Sequence, residues 1–177
     1  SANAVQVARA VSPGQRIFMT PDRNLAQYTI SRTGRDILYW DGFCPVHENL
    51  SADRVREVKQ AHPGALFLAH PECRPEVLAL ADEVKSTSGM IDFVGRSEAT
   101  EFIIGTETGI LYPLSQANFG KRFIPADPRM VCRDMKRTGL EDILRSLETM
   151  GPVVRVPDAV AAKARRAVER MLAVPKG

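Results

Sequence analysis

Three cysteines stand in three short peptides, Gly42-Phe43-Cys44-Pro45-Val46-His47, His70-Pro71-Glu72-Cys73 and Val131-Cys132-Arg133-Asp134-Met135-Lys136, each just after a short apolar run. A thiolate is a soft ligand, and cysteines far apart in sequence but each at a strand end can be gathered on one face of an α/β domain. Three reduced, buried small hydrophobes are the plainer alternative. The neighbours favour chemistry, because His47, His70 and Glu72 put two of the three histidines within three residues of a cysteine. His70-Pro71-Glu72 offers an imidazole that titrates near neutrality and a carboxylate two residues on, which suits general acid/base work. A strand-end turn with a satisfied histidine is the competing reading. Ser86-Thr87-Ser88-Gly89 can present hydroxyls and helix N-terminal amides to a carboxylate or phosphate, or simply cap the helix ahead of Met90. Pro21-Asp22-Arg23-Asn24 reads as a turn and cap first and a site second. A small structural zinc site is disfavoured, since Cys44 and Cys132 lie far outside zinc-finger spacing.

These residues need elements to hold them. Strands are expected at 17–19, 36–39, 66–69, 101–104, 122–124 and 153–156. Helical segments fall between and after them, at 25–31, 52–61, 76–84, 110–117 and 140–150, with an alanine-rich stretch at 159–173 opened by Asp158. Leu140, Ile143, Leu144 and Leu147 form the clearest stripe of helical period. Strands spaced by helices imply a parallel sheet covered on both faces, so the predicted class is α/β. On that plan Asp22, Cys44, His47, His70, Glu72, Thr106, Glu107 and Cys132 all follow strands, at the carboxyl edge where ligands bind in open parallel sheets. Residues 1–10 read as a helix already under way, without a cap of its own, which predicts further chain upstream.

Composition narrows the classes. With 24 Lys and Arg against 21 Asp and Glu, the net charge is only +3, and aromatic residues make up 6%, too few for base stacking along a basic stripe. Nucleic acid is therefore not the expected partner. No apolar run approaches the roughly 20 residues of a membrane span. No signal-peptide grammar opens the chain, and an odd cysteine count argues for a reducing compartment, so the expected location is the cytoplasm.

Taken in order, Tyr39-Trp40-Asp41-Gly42-Phe43-Cys44-Pro45-Val46-His47, His70-Pro71-Glu72-Cys73, Lys85-Ser86-Thr87-Ser88-Gly89-Met90, Ile104-Gly105-Thr106-Glu107 and Cys132-Arg133-Asp134-Met135-Lys136 resemble the quinolinate synthase family, iron–sulfur enzymes of de novo NAD biosynthesis. The likeness runs from Ser1 to about Ala173. It implies three similar three-layer αβα domains with parallel sheets around a central cavity, each giving one cysteine to a [4Fe–4S] cluster. Cys44 and Cys132 then match two metal ligands, and the third is expected upstream of residue 1. Cys73 matches a position that is not a ligand. His70 and Glu72 match catalytic residues; Ser1, His47, His70, Glu72, Ser86 and Thr87 match substrate-binding ones. The implied substrates are iminoaspartate and dihydroxyacetone phosphate, with an aspartate-oxidising enzyme as a supplier of the former. Implied domains are residues 1–42 (the remainder of a middle domain), 43–130 (a third domain) and 131–177 (a carboxyl-terminal segment), with the first domain absent and the isolated chain inactive. The rival is a non-catalytic α/β module that binds a small carboxylate or a metal.

Overall fold

The computed structural model describes residues 1–174. They fall into two compact units, Ser1–Val131 and a second that begins at Cys132. The first unit is built of βα repeats, and every strand pairing in it is parallel. It opens with helix α1 (Ala4–Ala10), strand β1 (Ile17–Met19), helix α2 (Arg23–Thr33) and strand β2 (Ile37–Tyr39), and β1 and β2 make a two-stranded sheet. Next come the single-turn α3 (Pro45–Glu48), α4 (Ala52–Ala61), β3 (Leu66–Ala69), the short α5 (Pro75–Leu78), β4 (Glu83–Val84) and α6 (Thr87–Arg96). Strand β5 (Glu101–Gly105), a 3₁₀ turn at Thr108–Ile110, α7 (Leu111–Ala117) and β6 (Arg122–Pro125) complete the unit.

The second sheet has the order β4-β3-β5-β6, and its side chains alternate between two cores. Phe67, Ala69 and Ile103 face α4 and α5 through Val55, Val58 and Val77, while Leu68, Phe102 and Ile104 face α6 and α7 through Met90, Val94 and Leu114. Each large side chain buried this way contributes about 1.5–3 kcal/mol. A one-residue slip would exchange the two faces and unseat all of them, so the register is fixed by packing. The α/β class read from the sequence is therefore what the chain adopts, with helices on both faces of this parallel sheet.

That layering also locates a crevice. The helix after β3 covers one face and the helix after β5 covers the other, so the chain diverges between two adjacent strands whose carboxyl ends lie side by side. This is a topological switch point, the place where open α/β sheets bind ligands. Gly105 ends β5 there because a Cβ would stand 2.8 Å from the Phe67 ring and 3.2 Å from the Leu68 carbonyl.

Two expectations on local structure need correction. The helix expected over 76–84 is α5 followed by strand β4. Asp82 explains the break: its N–H donates to the Phe67 carbonyl (2.9 Å), and its Oδ2 accepts from the Phe67 N–H (2.7 Å) and from Lys59 Nζ (3.0 Å). Tertiary pairing on β3 thus overrides a locally helical run. The strand expected at 153–156 is irregular chain between Pro152 and Pro157, and no strand among the described residues pairs with it.

The second unit, described by itself, carries α8 (Leu140–Thr149) and α9 (Asp158–Leu172). Asp142 Oδ2 accepts the Gly139 N–H (3.0 Å) at the start of α8, and Met150 closes it in the left-handed region at φ 50°.

Candidate active and metal site

Helix α2 begins where β1 ends, and Asp22 caps it: Oδ1 accepts the Leu25 N–H (2.8 Å). The other oxygen of the same carboxylate accepts the Cys44 N–H (2.9 Å), so one aspartate fixes both the helix start and the loop after β2. Pro45 at the first position starts α3 directly behind Cys44. That single turn sets the Cys44 thiol against the His47 ring, three residues on.

His47 reaches across to the second sheet. Its Nε2 lies 2.9 Å from Thr106 Oγ1, just past β5, and its Nδ1 lies 3.2 Å from Glu72 Oε2, just past β3. His70 stacks on it, with ring centroids 4.4 Å apart and planes 10° from parallel. His70 Nδ1 accepts the Glu72 N–H (3.3 Å) and lies 3.9 Å from the Glu72 carboxylate; its Nε2 is 3.3 Å from Ser1 Oγ. The backbone N–H on Nδ1 assigns the ring proton of neutral His70 to Nε2, facing the serine.

The ionisation states follow from these contacts. Burial works against a charged His47, yet its bonds to the Cys44 sulfur and the Glu72 carboxylate carry it up to about 9. The same contact lowers the Cys44 thiol, and the His47 hydrogen bond holds Glu72 below the ordinary carboxylate range against its burial. Burial, reinforced by the charge on His47, pushes His70 down to about 4. Two stacked imidazoles cannot both ionise cheaply in one buried place, and here they divide the task. At neutral pH the cluster holds a His47 imidazolium, a Glu72 carboxylate and a neutral His70, with the Cys44 thiol shifted toward its thiolate form.

Cys44, His47 and Glu72 form a possible metal site, with one ligand atom from each and all three within 4.8 Å of one another. A half-exposed cysteine with a lowered pKa fits a thiolate ligand, whether of a single ion or of an iron–sulfur cluster. Cys73 does not fit. It is completely buried, its thiol donates to the Gly105 carbonyl (3.5 Å), and burial pushes its pKa up to about 12.

Ser1, His47, His70, Glu72 and Cys44 thus converge, as does Thr106. Ser86 and Thr87 stand at the same carboxyl edge one strand away, where Ser86 Oγ caps α6 by accepting the Gly89 N–H (3.3 Å). Cys132 is the first residue of the second unit. Sequence reasoning missed Glu48 and undervalued Asn24, which joins Glu48 to the Glu72 peptide. Nothing in their local spacing signals this, because the contacts cross between two sheets.

Fold and site together define a parallel α/β protein with a thiol–imidazole–carboxylate centre at a switch point. Comparison with known proteins gives the particular kind. The family described as Quinolinate synthetase A protein matches residues 1–173. Proteins named quinolinate synthase are 53% identical in Geotalea uraniireducens, over 99% of this chain and 58% of the relative, and 51% identical in Geobacter metallireducens, over the same shares. One from Methanoregula boonei is 48% identical over 98% of this chain and 57% of its own length. The chain belongs to the quinolinate synthase family, and it spans a little over half the length of these relatives.

Proposed function

We propose that this chain forms part of an enzyme that condenses iminoaspartate with dihydroxyacetone phosphate and, with loss of phosphate and water, closes the ring of quinolinate. The observation that carries the reading is the Glu72 carboxylate, held between an ionised and a neutral imidazole at the carboxyl edge of the sheet. The two electrically different histidines separate the tasks of holding and moving a proton. His47 donates Nδ1–H to Glu72 and keeps the carboxylate ionised and aimed. Glu72 is then the base that takes a proton from substrate carbon. Neutral His70 acts as a relay: its Nε2–H goes to a departing hydroxyl, which leaves as water, while its Nδ1 takes up the proton collected by Glu72, 3.9 Å away, so the ring ends neutral. Ser1, Ser86 and Thr87 bind substrate carboxylates, and the charged His47 adds attraction for an anionic substrate.

In this reading Cys44 and Cys132 are the residues of this chain that hold a [4Fe–4S] cluster, and a third cysteine comes from outside residues 1–177. When bound, the cluster supplies an iron free of protein ligands, a Lewis acid for a hydroxyl or carboxylate oxygen. Residues 1–42, 43–130 and 131–177 are then parts of a three-domain assembly, working in the cytoplasm beside an aspartate-oxidising enzyme that supplies iminoaspartate.

The test is anaerobic loading with iron and sulfide, followed by an assay for quinolinate from dihydroxyacetone phosphate and iminoaspartate generated in place. It is run on the chain alone and on the chain supplemented with the amino-terminal part of the Geotalea uraniireducens relative. Quinolinate is expected only from the supplemented chain, and both Cys44→Ser and Cys132→Ser should lose the visible absorbance of the cluster. A Cys44→Ser protein that retains the full cluster, or a loaded supplemented chain that makes no quinolinate, overturns the proposal.

A further inference from the structure

The first turn of α2 does more than start a helix. Asn24 is the second residue of that helix and only 3% exposed. A short polar residue so buried on a helix should be spending its hydrogen bonds on something specific. Its Nδ2 donates to Glu48 Oε2 (2.8 Å) and to the backbone carbonyl of Glu72 (3.0 Å), 48 residues away. The other oxygen of Glu48 accepts from Arg23 Nη2 (2.6 Å), and the Arg23 guanidinium also donates to Asp41 (3.0 Å) and lies 4.5 Å above the Phe43 ring. A fixed chain of contacts therefore runs from Phe43 and Asp41 through Arg23, Glu48 and Asn24 to the peptide of Glu72. It comes from the two-stranded sheet and its loops, and it ends on the residue whose carboxylate meets His47 and His70.

We infer that Asn24 is a positioning residue for Glu72, an inference that rests on the proposed proton-transfer role of that carboxylate. Asn24 touches neither imidazole nor any reacting atom in this arrangement. It acts by holding the Glu72 peptide, and so the direction in which the side chain leaves the turn after β3. Proline at 71 already restricts the backbone before Glu72. The Asn24 amide restrains the carbonyl after it, so the residue is held from both sides. Glu48 keeps the Asn24 amide turned so that its second N–H faces Glu72. An aspartate at 24 would keep the size but remove both donors and set a carboxylate against Glu48 and a carbonyl.

The experiment compares Asn24→Ala, Asn24→Asp, Glu72→Gln and the double variant Asn24→Ala/Glu72→Gln in the supplemented, cluster-loaded protein. Asn24→Ala should lower kcat roughly 10- to 100-fold, the range expected when a reacting group is displaced by about 1 Å. KM should stay within about twofold, because the lost contact holds a base rather than the substrate. In the Glu72→Gln background the same change should cost less than about twofold, since the group it aims no longer transfers protons. Asn24→Asp should be at least as impaired as Asn24→Ala. Crystal structures of the parent and of Asn24→Ala give a readout independent of turnover: the His47 Nδ1 to Glu72 Oε2 separation, 3.2 Å here, should open beyond hydrogen-bond reach. An unchanged separation, or equal kcat losses in both backgrounds, overturns the positioning role even if Glu72→Gln is inactive. Near-normal turnover by Glu72→Gln sinks the proton-transfer reading instead, and the crystallographic distance still decides what Asn24 does.

Discussion

Two turns in this chain carry the same pair of residues in opposite order, Cys44-Pro45-Val46-His47 after β2 and His70-Pro71-Glu72-Cys73 after β3. Each has a proline in second place and sets sulfur and imidazole three positions apart. Their chemistry is inverted. In the first, the thiol stands before a helical turn, half exposed, and shares a proton with a ring that is carried up to about 9. In the second, the sulfur folds under the turn onto the Gly105 carbonyl, while its buried histidine stacks on His47 and is pushed down to about 4. The first turn therefore favours a thiolate–imidazolium pair, whereas in the second both the thiol and the imidazole are neutral. Equal spacing does not make equal sites: both histidines are buried, and what decides is whether the sulfur is buried too and which charged groups each ring meets.

The largest expected effect tests that contrast directly. In metal-free native chain at pH 7, iodoacetamide should label Cys44 at least ~10³-fold faster than Cys73, because one is a partly exposed thiol with a lowered pKa and the other reacts only after local opening. Peptide mass spectrometry over time reads both rates, and comparable rates would break the comparison. A smaller effect isolates the ion pair. Replacing His47 with Ala removes the first cause of the lowered Cys44 pKa, so the midpoint of the labelling rate against pH should move up toward the ordinary thiol value near 8.5. The rate at pH 7 should fall ~10-fold, with Cys73 unchanged.

Stability tests sharpen the other side. Gly105→Ala forces a methyl against Phe67 and the Leu68 carbonyl beneath the second turn, and should cost about 1–3 kcal/mol by urea unfolding. The smallest effect is a pH dependence. A thiol raised to about 12 in the folded chain stays protonated while the unfolded chain ionises near 8.5, so its contribution is intact below that pH and is lost as pH rises toward 12. Cys73→Ala should therefore lose less stability than the parent between about pH 8.5 and 11, whatever its offset at neutral pH. A parallel pair of curves would show that Cys73 ionises as easily folded as unfolded.

Much of this was legible in the residues. The β3 and β5 runs, apolar on both faces, announced a buried parallel sheet, and the polar motifs after each strand announced its working edge. The Cys44 and Cys73 thiols could not be told apart by spacing, since their difference lies in burial against Gly105. Likewise β4 was hidden in a run of helical composition, because what makes it a strand is Asp82 bonding to Phe67. Asn24 looked like a helix-start residue and is one. Its second task depends on a glutamate from α3 and a carbonyl from the turn after β3, which no local pattern encodes.

The contacts that complete the cluster join residues far apart in the chain: His47 to Thr106 over 59 positions, Ser1 to His70 over 69, and Asn24 to Glu72 over 48. Cys44 and His47 are near neighbours, as are His70 and Glu72, but the four-residue helix Pro45–Glu48 behind Cys44 is too short to hold itself helical in water. The activated sulfur is thus a late product of chain closure, formed when both sheets have met and loop entropy has been overcome. While the chain is still being synthesised, Cys44 is an ordinary thiol, mostly protonated at neutral pH. It is correspondingly slow to oxidise or to capture a stray metal ion before the rest of its site exists.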